Sequence, residues 1–422
     1  MGIQSDDDVV LIRNGHKEGD PTVITVNCPD KTGLGCDVCR LILQFGLSIT
    51  RGEEELRWCS SDFSTDGKWC YLVFWVVPRP HNRPIRWSSL KKRLLSVCPS
   101  CSSAASLYLP QDVPARPSEV YLLKLCSFDR RGLLHDVTEA LCELELTIRK
   151  VKVSTTPDGS VMDLFFVTDT RLEPMEQLHT EKRRAETCER LRSVLGGSMI
   201  SCELELVDPE MGNCQQASSS CDFTSLFTEQ TTYGNQNSDA NVSVTIDNSL
   251  SPSHTVVQIL CCDHKGLLYD VMRTLKDYNI QVCYGRFTSK DNSNCEGELF
   301  IVQADGKKII DTEKQRALCS RLRTELLQPL QVKVVSRGPD TELLVANVVE
   351  LGGRGRPLVF YDITLALKNL KICIFLAEIA RHMIGNREWE VYRILLLDDG
   401  HGLFGVRNKI EEEVRKMLMG RD

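Results

Sequence analysis

A pattern of two aspartates around a Gly-Leu pair, Asp-x-x-Gly-Leu-x-x-Asp-Val, occurs three times along the chain. It begins at Asp30, Asp129 and Asp263. A glycine lets a ligand lie against the backbone, and the N–H groups at the start of the following helix can hold an anion such as a carboxylate. The first aspartate could then accept the ammonium group of the same ligand. Together these groups would complement a free α-amino acid.

The same residues also have an explanation that needs no ligand. A glycine at a strand-to-helix turn permits a positive φ or tight packing of the helix on the strand, as Gly33, Gly132 and Gly266 would do here. The first aspartate can close such a turn with its own hydrogen bonds. Turn architecture is the more economical explanation, and ligand contact stays open beside it.

The second aspartate of the pattern is expected to be structural. It falls in the first turn of a predicted helix, where a carboxylate interacts favourably with the helix dipole by roughly 0.3–1 kcal/mol. A degenerate fourth copy keeps this residue but has Gly355 in place of the first aspartate and Leu358 in place of the glycine. The fourth copy should therefore keep the fold and lose the site. The four second aspartates are Asp37, Asp136, Asp270 and Asp362.

The elements that position these residues follow one order in each copy. In copy two the apolar spacing predicts strand, helix, strand, strand, helix and strand at residues 120–125, 133–144, 146–153, 162–167, 182–195 and 200–206. This β-α-β-β-α-β order is the ferredoxin-like unit. We therefore predict an α+β fold of tandem units, with antiparallel sheets and helices on one face. The closing strands of copies one and three are predicted at residues 104–109 and 330–335.

The copies and the segments between them divide the chain as follows. We predict a flexible N-terminus (1–20), copy one (21–109), copy two (118–207), a disordered linker rich in Ser, Asn, Gln and Thr (208–253), copy three (254–336) and the degenerate copy four (341–420). The linker suggests that copies one and two form one pair and copies three and four another. Copy one carries extra residues near 53–63, which we expect to lengthen a β-hairpin loop, unless they reflect a splicing or gene-model peculiarity.

Composition and charge exclude several classes of protein. The net charge is −7 with dispersed basic residues, so no nucleic-acid partner is expected. No apolar run approaches the roughly 18 residues of a membrane span, and no membrane partner is expected. Nineteen cysteines without a secretory signal indicate reduced thiols and a cytoplasmic, or else nuclear, location.

Motifs of known enzymes are weak, and no enzymatic activity is predicted. His135-Asp136 spells the dipeptide of metal phosphohydrolases, but other residue types take the histidine position in the other copies. Gly159-Ser160 with Asp163 has too short a spacing for a nucleotidyltransferase. The cysteine pairs Cys36/Cys39 and Cys98/Cys101 are more simply explained as incidental thiols than as zinc ligands, so no metal or cofactor is expected.

Taken together, the repeated pattern and element order resemble the ACT domain repeat proteins of plants, the ACR family, and within it the subgroup of members nine and ten. The resemblance covers about residues 20–420. It implies ACT folds whose sheets associate, giving possible homo- or hetero-oligomers, and a free amino acid held between paired domains. The family is also similar to the regulatory end of bacterial uridylyltransferases, without their catalytic domains. By this resemblance the ligand contacts would be Asp30, Gly33, Leu34, Asp129, Gly132, Leu133, Asp263, Gly266 and Leu267, with Ile49, Ile148 and Val282 from the second strands.

Two functions are consistent with these observations. The first is a non-catalytic regulatory protein that senses free amino acids. The second is a protein-interaction scaffold of ACT units that binds no metabolite, which the degenerate fourth copy would suit.

Overall fold

The computed structural model describes residues 9–15, 19–49, 61–79, 84–99, 119–156, 158–171, 177–207, 242–291, 294–338, 340–384, 387–397 and 407–420. These residues form two compact units. The first unit combines copies one and three, and the second combines copies two and four. The sequence-based pairing of copy one with two and of three with four is therefore wrong.

Each copy contains two helices and an antiparallel set of strands. Copy one consists of β1 (Val10–Arg13), β2 (Thr22–Pro29), α1 (Leu34–Gln44), β3 (Leu47–Ile49), β4 (Ser61–Thr65), β5 (Trp69–Pro78) and α2 (Trp87–Val97). Copy two consists of β6 (Tyr121–Phe128), α3 (Leu133–Glu143), β7 (Leu146–Thr155), β8 (Ser160–Asp169), α4 (Glu181–Leu195), a short 3₁₀ turn (Gly196–Ser198) and β9 (Met199–Leu206).

Copies three and four follow the same plan. Copy three consists of β10 (Ser243–Asp247), β11 (Thr255–Cys262), α5 (Leu267–Asp277), β12 (Ile280–Asp291), β13 (Asn294–Gln303) and α6 (Thr312–Leu327). Copy four consists of β14 (Leu330–Arg337), β15 (Asp340–Val348), α7 (Val359–Asn369), β16 (Ile374–Ile384), β17 (Arg387–Leu396) and α8 (Arg407–Met419). The predicted α+β class with repeated ferredoxin-like units in antiparallel sheets is confirmed.

The paired copies share one continuous sheet. In the first unit the second strands β4 and β12 pair antiparallel, with Phe63 opposite Gly285. In the second unit β7 and β16 pair in the same way, with Val151 opposite Ile379. The first helices of paired copies, α1 with α5 and α3 with α7, also pack together. A single apolar cluster then runs through both copies of each unit, so the paired copies share one core.

The edge strand of the sheet has two different origins. In copy two it is β9, which follows the second helix as predicted and pairs with β6. In copies one, three and four the edge strand instead precedes the first core strand and pairs with it in a hairpin. Either origin places an antiparallel neighbour beside the same strand, which explains why the apolar pattern did not distinguish them.

Three predicted segments change as a result. Residues 330–335 were predicted to close copy three, yet β14 pairs with β15 of copy four. Part of the predicted linker, β10, forms the edge of copy three, and part of the predicted flexible N-terminus, β1, forms the edge of copy one. The predicted strand at 104–109, the N-terminal residues 1–8 and the linker residues 208–241 lie outside the described residues.

The additional segment of copy one interrupts a strand rather than lengthening a hairpin loop. Ile49 at the end of β3 lies opposite Val76, and Ser61 at the start of β4 lies opposite Phe74, so both strands pair with β5. The residues between them, 50–60, lie outside the described part of the chain. Phe63, which was expected in the loop, is a buried core residue of β4.

Candidate functional site

A cavity in the first unit lies between the repeated loop of copy one and a wall from copy three. It encloses about 470 Å³ with its open mouth included. Asp30, Gly33 and Leu34 form one side, and Lys276 of α5 and Val282 of β12 lie on the opposite side. The predicted loop residues of copy one and the predicted strand residue of copy three therefore meet across the junction between the two copies.

A second cavity occupies the corresponding place in the second unit. It encloses about 400 Å³ with its mouth included. Asp129, Gly132 and Leu133 of copy two face Lys368 and Ile374 of copy four. Copy four, expected to have lost its site, thus contributes a wall of the cavity of copy two.

The glycines adopt the left-handed conformation, and a side chain of the partner copy lies over them. Gly33 and Gly132 have φ values of 81° and 78° and immediately precede α1 and α3. A Cβ added at Gly33 would come within 2.8 Å of Lys276 Cδ, and one at Gly132 would come within 3.0 Å of Lys368 Cγ. The space left by each absent side chain is thus filled by the stem of a lysine from the other copy.

These two lysines form ion pairs with the second aspartates of the pattern. Lys276 Nζ donates to Asp37 Oδ1 at 2.9 Å, and Lys368 Nζ donates to Asp136 Oδ1 at 2.7 Å. Burial favours a higher pKa for Asp136, but the hydrogen bonds from Lys368 and Arg130 outweigh it and hold the pKa below its usual value. Besides their place in the first helical turn, these aspartates therefore link the paired copies.

The residue after the first aspartate supplies a cation to the second aspartate of its own copy. The nitrogen–oxygen distance is 3.5 Å from Lys31 to Asp37 and 2.6 Å from Arg130 to Asp136. In copy three the ring nitrogen Nε2 of the buried His264 lies 3.1 Å from the second aspartate. The sequence carried this signal, because a basic residue or histidine follows the first aspartate in each intact copy, but the sequence-based interpretation missed it.

The lysines of the partner copies were also missed. They lie ten positions after the left-handed residue in copies three and four, where copies one and two have Leu43 and Cys142. A comparison of the copies column by column would have singled out this position. The difference makes the two partners unequal, because copies three and four supply the lysine and copies one and two supply the loop.

The first aspartates have different surroundings in the two units. Asp30 Oδ2 accepts hydrogen bonds from Thr65 Oγ1 at 2.8 Å and from Gln281 Nε2 of copy three at 2.7 Å. The other oxygen, Oδ1, has no hydrogen-bond partner among the described residues. Asp129 donates its backbone N–H to Gly159 O at 2.8 Å, and its charge adds to the effect of burial in raising the pKa of the nearby Asp163.

Five of the predicted contact residues line neither cavity. Ile49 and Ile148 are half-buried at the edges of the two apolar clusters. In copy three, Gly266 has φ 82° and Leu267 is buried in the core. Asp263 likewise lies outside both cavities. For these residues a ligand contact stays a prediction.

The loop of copy four keeps its backbone conformation without a glycine. Leu358 has φ 62° and directly precedes α7, just as the glycines precede the first helices of the other copies. A non-glycine residue in this region is strained. The fold of copy four therefore survives the loss of the glycine, as expected.

The cysteine pair of copy one lies inside the core. Cys36 and Cys39 are buried in α1, and burial raises the pKa of the Cys39 thiol well above its usual value. Among the described residues, no cluster of three or more His, Cys, Asp or Glu side chains could hold a metal ion. Cys98 lies at the end of α2, and Cys101 is outside the described residues.

Searches against known proteins match this chain along its length. Family models match residues 12–99 (ACT domain-containing protein ACR10, N-terminal), 243–340 (ACR9-like, ACT-like domain) and 341–420 (ACT domain-containing protein ACR9, C-terminal). The boundary between the last two models, at residues 340 and 341, falls within the β14–β15 hairpin region, where β15 begins.

Two proteins of a plant match this chain over their full length, and a bacterial protein matches it in part. The chain is 56% identical to the ACT domain-containing protein ACR10 and 51% identical to ACR9, both of Arabidopsis thaliana, with 100% of each chain covered. It is also 25% identical to a bifunctional uridylyltransferase/uridylyl-removing enzyme of Phenylobacterium zucineum, over 47% of this chain and 19% of that protein. No helix in the described residues is long and apolar enough to cross a membrane. With full-length identity above one half, the chain belongs to the ACR family of ACT domain-containing proteins.

Proposed function

We propose that this protein is a non-catalytic regulatory protein that binds free amino acids in the two cavities between its paired copies. One observation supports the proposal most strongly. Each cavity brings an aspartate of one copy (Asp30 or Asp129) close to a lysine of the other (Lys276 or Lys368), beside the start of a helix. An α-amino acid carries the complementary pair of charges on neighbouring atoms.

The groups of the first cavity can be assigned to the parts of such a ligand. The α-carboxylate would accept hydrogen bonds from Lys276 Nζ and from the backbone amides of Gly35 and Cys36, which line the cavity at the start of α1. An ammonium carries three donors, so Lys276 can bond Asp37 and a ligand together. The α-ammonium would donate to Oδ1 of Asp30, while Thr65 and Gln281 hold Oδ2 in place.

The apolar part of the ligand would lie against the floor of the cavity. In the first unit Phe63, Cys70 and Leu72 line this region, and all three are buried. Burial of an aliphatic side chain there would stabilise the complex by roughly 25 cal/mol for each Å² removed from water. Because both walls contribute, binding would hold the paired copies together and thereby couple ligand concentration to the stability of each unit.

The alternative function, a scaffold without a metabolite ligand, is favoured by one feature of the junction. The stem of Lys276 already fills the space over Gly33, and its ammonium already has an acidic partner in Asp37. The junction is therefore electrostatically satisfied as it stands. On this alternative, lysine and glycine would serve only to join the two copies, and the exposed edges of the sheets would bind other proteins or further copies of the chain.

Calorimetric titration of the full chain with each of the twenty amino acids separates the two functions. We expect at least one to bind, and the double variant Lys276→Met, Lys368→Met to lose at least tenfold in affinity because the carboxylate loses its cation. Lys307→Met is the matched control, since Lys307 is exposed and lies 3.7 Å from Asp305, away from both cavities. A folded chain that binds none of the twenty at millimolar concentration would contradict the proposal.

A further inference from the structure

The floors of the two cavities differ in one charged residue. Leu72 of β5 lies opposite Val26, and Asp163 of β8 lies opposite Leu125. Val26 and Leu125 each lie four residues before the first aspartate of their copy, so Leu72 and Asp163 occupy the same position of the fold. Both line their cavities. The first cavity therefore has an aliphatic floor residue where the second has a carboxyl group.

Among the described residues, Asp163 has no partner that would explain its presence there. It is 1% exposed, and neither of its carboxylate oxygens has a hydrogen-bond partner among the described residues. Burial, together with the charge of Asp129, raises the pKa of Asp163 to about 7. A buried polar group normally has a partner, because desolvation without one is costly. A ligand in the cavity would be a natural partner for this carboxyl group.

The other charged groups of this cavity are engaged elsewhere. Arg130 and Lys368 both bond Asp136, and His135 Nδ1 lies 3.2 Å from Thr364 Oγ1. The cations of Arg130 and Lys368 are thus directed toward Asp136 and not toward Asp163. A ligand that brings its own positive charge to the floor would meet a carboxyl group that has no cationic partner among the described residues.

We propose that the cavity of copies two and four selects an amino acid with a cationic side chain, the class of lysine, ornithine and arginine. The inference rests on the proposed function. The ligand's α-carboxylate and α-ammonium would meet Lys368 and Asp129, as in the first unit, and its side-chain cation would reach Asp163. The first cavity, with Leu72 at the same position, takes a neutral side chain instead.

The pH dependence of binding should follow the floor carboxyl group. Binding of a cationic side chain deprotonates Asp163, so affinity should rise between pH 6 and pH 8. The titratable and charged groups that line the cavity around Asp163 are Asp129 and Arg130 of the loop, His135 of α3, Lys368 of α7 and Cys373 just before β16. His135 can titrate in the same range. A variant at Asp163 is therefore needed to assign the effect.

Calorimetry on the full chain with arginine and with citrulline, its neutral analogue of similar shape, tests the inference. We expect arginine to bind at least tenfold more tightly than citrulline at pH 8. Asp163→Asn should remove this preference by weakening arginine tenfold or more while leaving citrulline within twofold. Asp163→Leu, which reproduces the floor of the first cavity, should lose arginine binding as well. Asp305→Asn, which makes the same change at an exposed carboxyl group away from both cavities, is the control and should leave the arginine preference intact.

The possible outcomes separate the inference from the function on which it rests. If arginine and citrulline bind equally and Asp163→Asn changes neither, the inference fails and amino-acid binding stands. If no amino acid binds the folded chain, both fail. Cadaverine, which has two cationic groups but no carboxylate, distinguishes an amino acid from a diamine. Binding of cadaverine as tight as that of lysine would overturn the assignment to an amino acid.

Discussion

Replacing Gly33 with alanine should do more damage than its backbone conformation alone explains. The new Cβ would lie 2.8–2.9 Å from Cγ, Cδ and Cε of Lys276, so the stem of the lysine must move. Gly67 is a matched control in the same unit, because its φ of 83° is nearly the same and a Cβ there meets nothing within 4 Å. The left-handed conformation costs either alanine about 1–2 kcal/mol.

The difference between the two variants measures the contact with the lysine. Displacing Lys276 from Asp37 loses a partly buried hydrogen bond between charged groups, which is worth about 1.5–3 kcal/mol. Gly33→Ala should therefore lower the free energy of unfolding by about 2.5–5 kcal/mol, against about 1–2 kcal/mol for Gly67→Ala. Urea denaturation followed by circular dichroism measures both values.

A double-mutant cycle isolates the pair. In a Lys276→Ala background there is no stem to displace, so Gly33→Ala should then cost no more than Gly67→Ala. The coupling energy between positions 33 and 276 should exceed about 1 kcal/mol. Equal losses for the two glycine variants, or a coupling near zero, would refute the idea that the lysine stem occupies the space over the glycine.

Two further predictions concern stability. Arg273 is buried in copy three and forms an ion pair with the buried Glu325. Arg273→Ala should therefore cost about 1.5–3 kcal/mol in urea denaturation, because a buried hydrogen bond between charged groups is lost while Arg321 still pairs with Glu325. Arg192 pairs with Glu189 at an exposed position, so Arg192→Ala should cost less than about 1 kcal/mol of stability. Similar losses for Arg273→Ala and Arg192→Ala would contradict the prediction. The pKa of Asp163 is raised to about 7 in the fold. The free energy of unfolding should therefore fall by up to about 4 kcal/mol as pH rises from about 4 through 7. If Asp163→Asn shows the same dependence of stability on pH, Asp163 is not the group responsible.

The local elements of the fold follow closely from the sequence. The first helix of copy two was predicted to begin at Leu133, where the structure begins it, and the helices of copies one and three begin at the corresponding Leu34 and Leu267. The reason is that a left-handed glycine and the apolar spacing of the helix are both encoded within about a dozen neighbouring residues. The loop and helix that form one side of each candidate cavity could therefore be predicted from the sequence of a single copy.

The pairing of the copies could not be predicted from the local sequence in this way. A long polar linker suggested that neighbouring copies pair, but the structure joins β4 to β12 and β7 to β16. Pairing of strand edges far apart in the chain leaves no local period in the sequence. The informative residues were Lys276 and Lys368, whose recurrence in copies three and four becomes meaningful only when the copies are aligned.

The proposed sites for a free amino acid lie between copies one and three and between copies two and four. Hydrogen–deuterium exchange on the full chain, saturated with the amino acid that raises its melting temperature most, tests the location directly. We expect joint protection of residues 30–36 with 272–282, of residues 129–135 with 364–374, or of both sets. Protection confined to residues 263–267, or unchanged exchange across all of these segments despite measurable binding, would contradict the proposed sites.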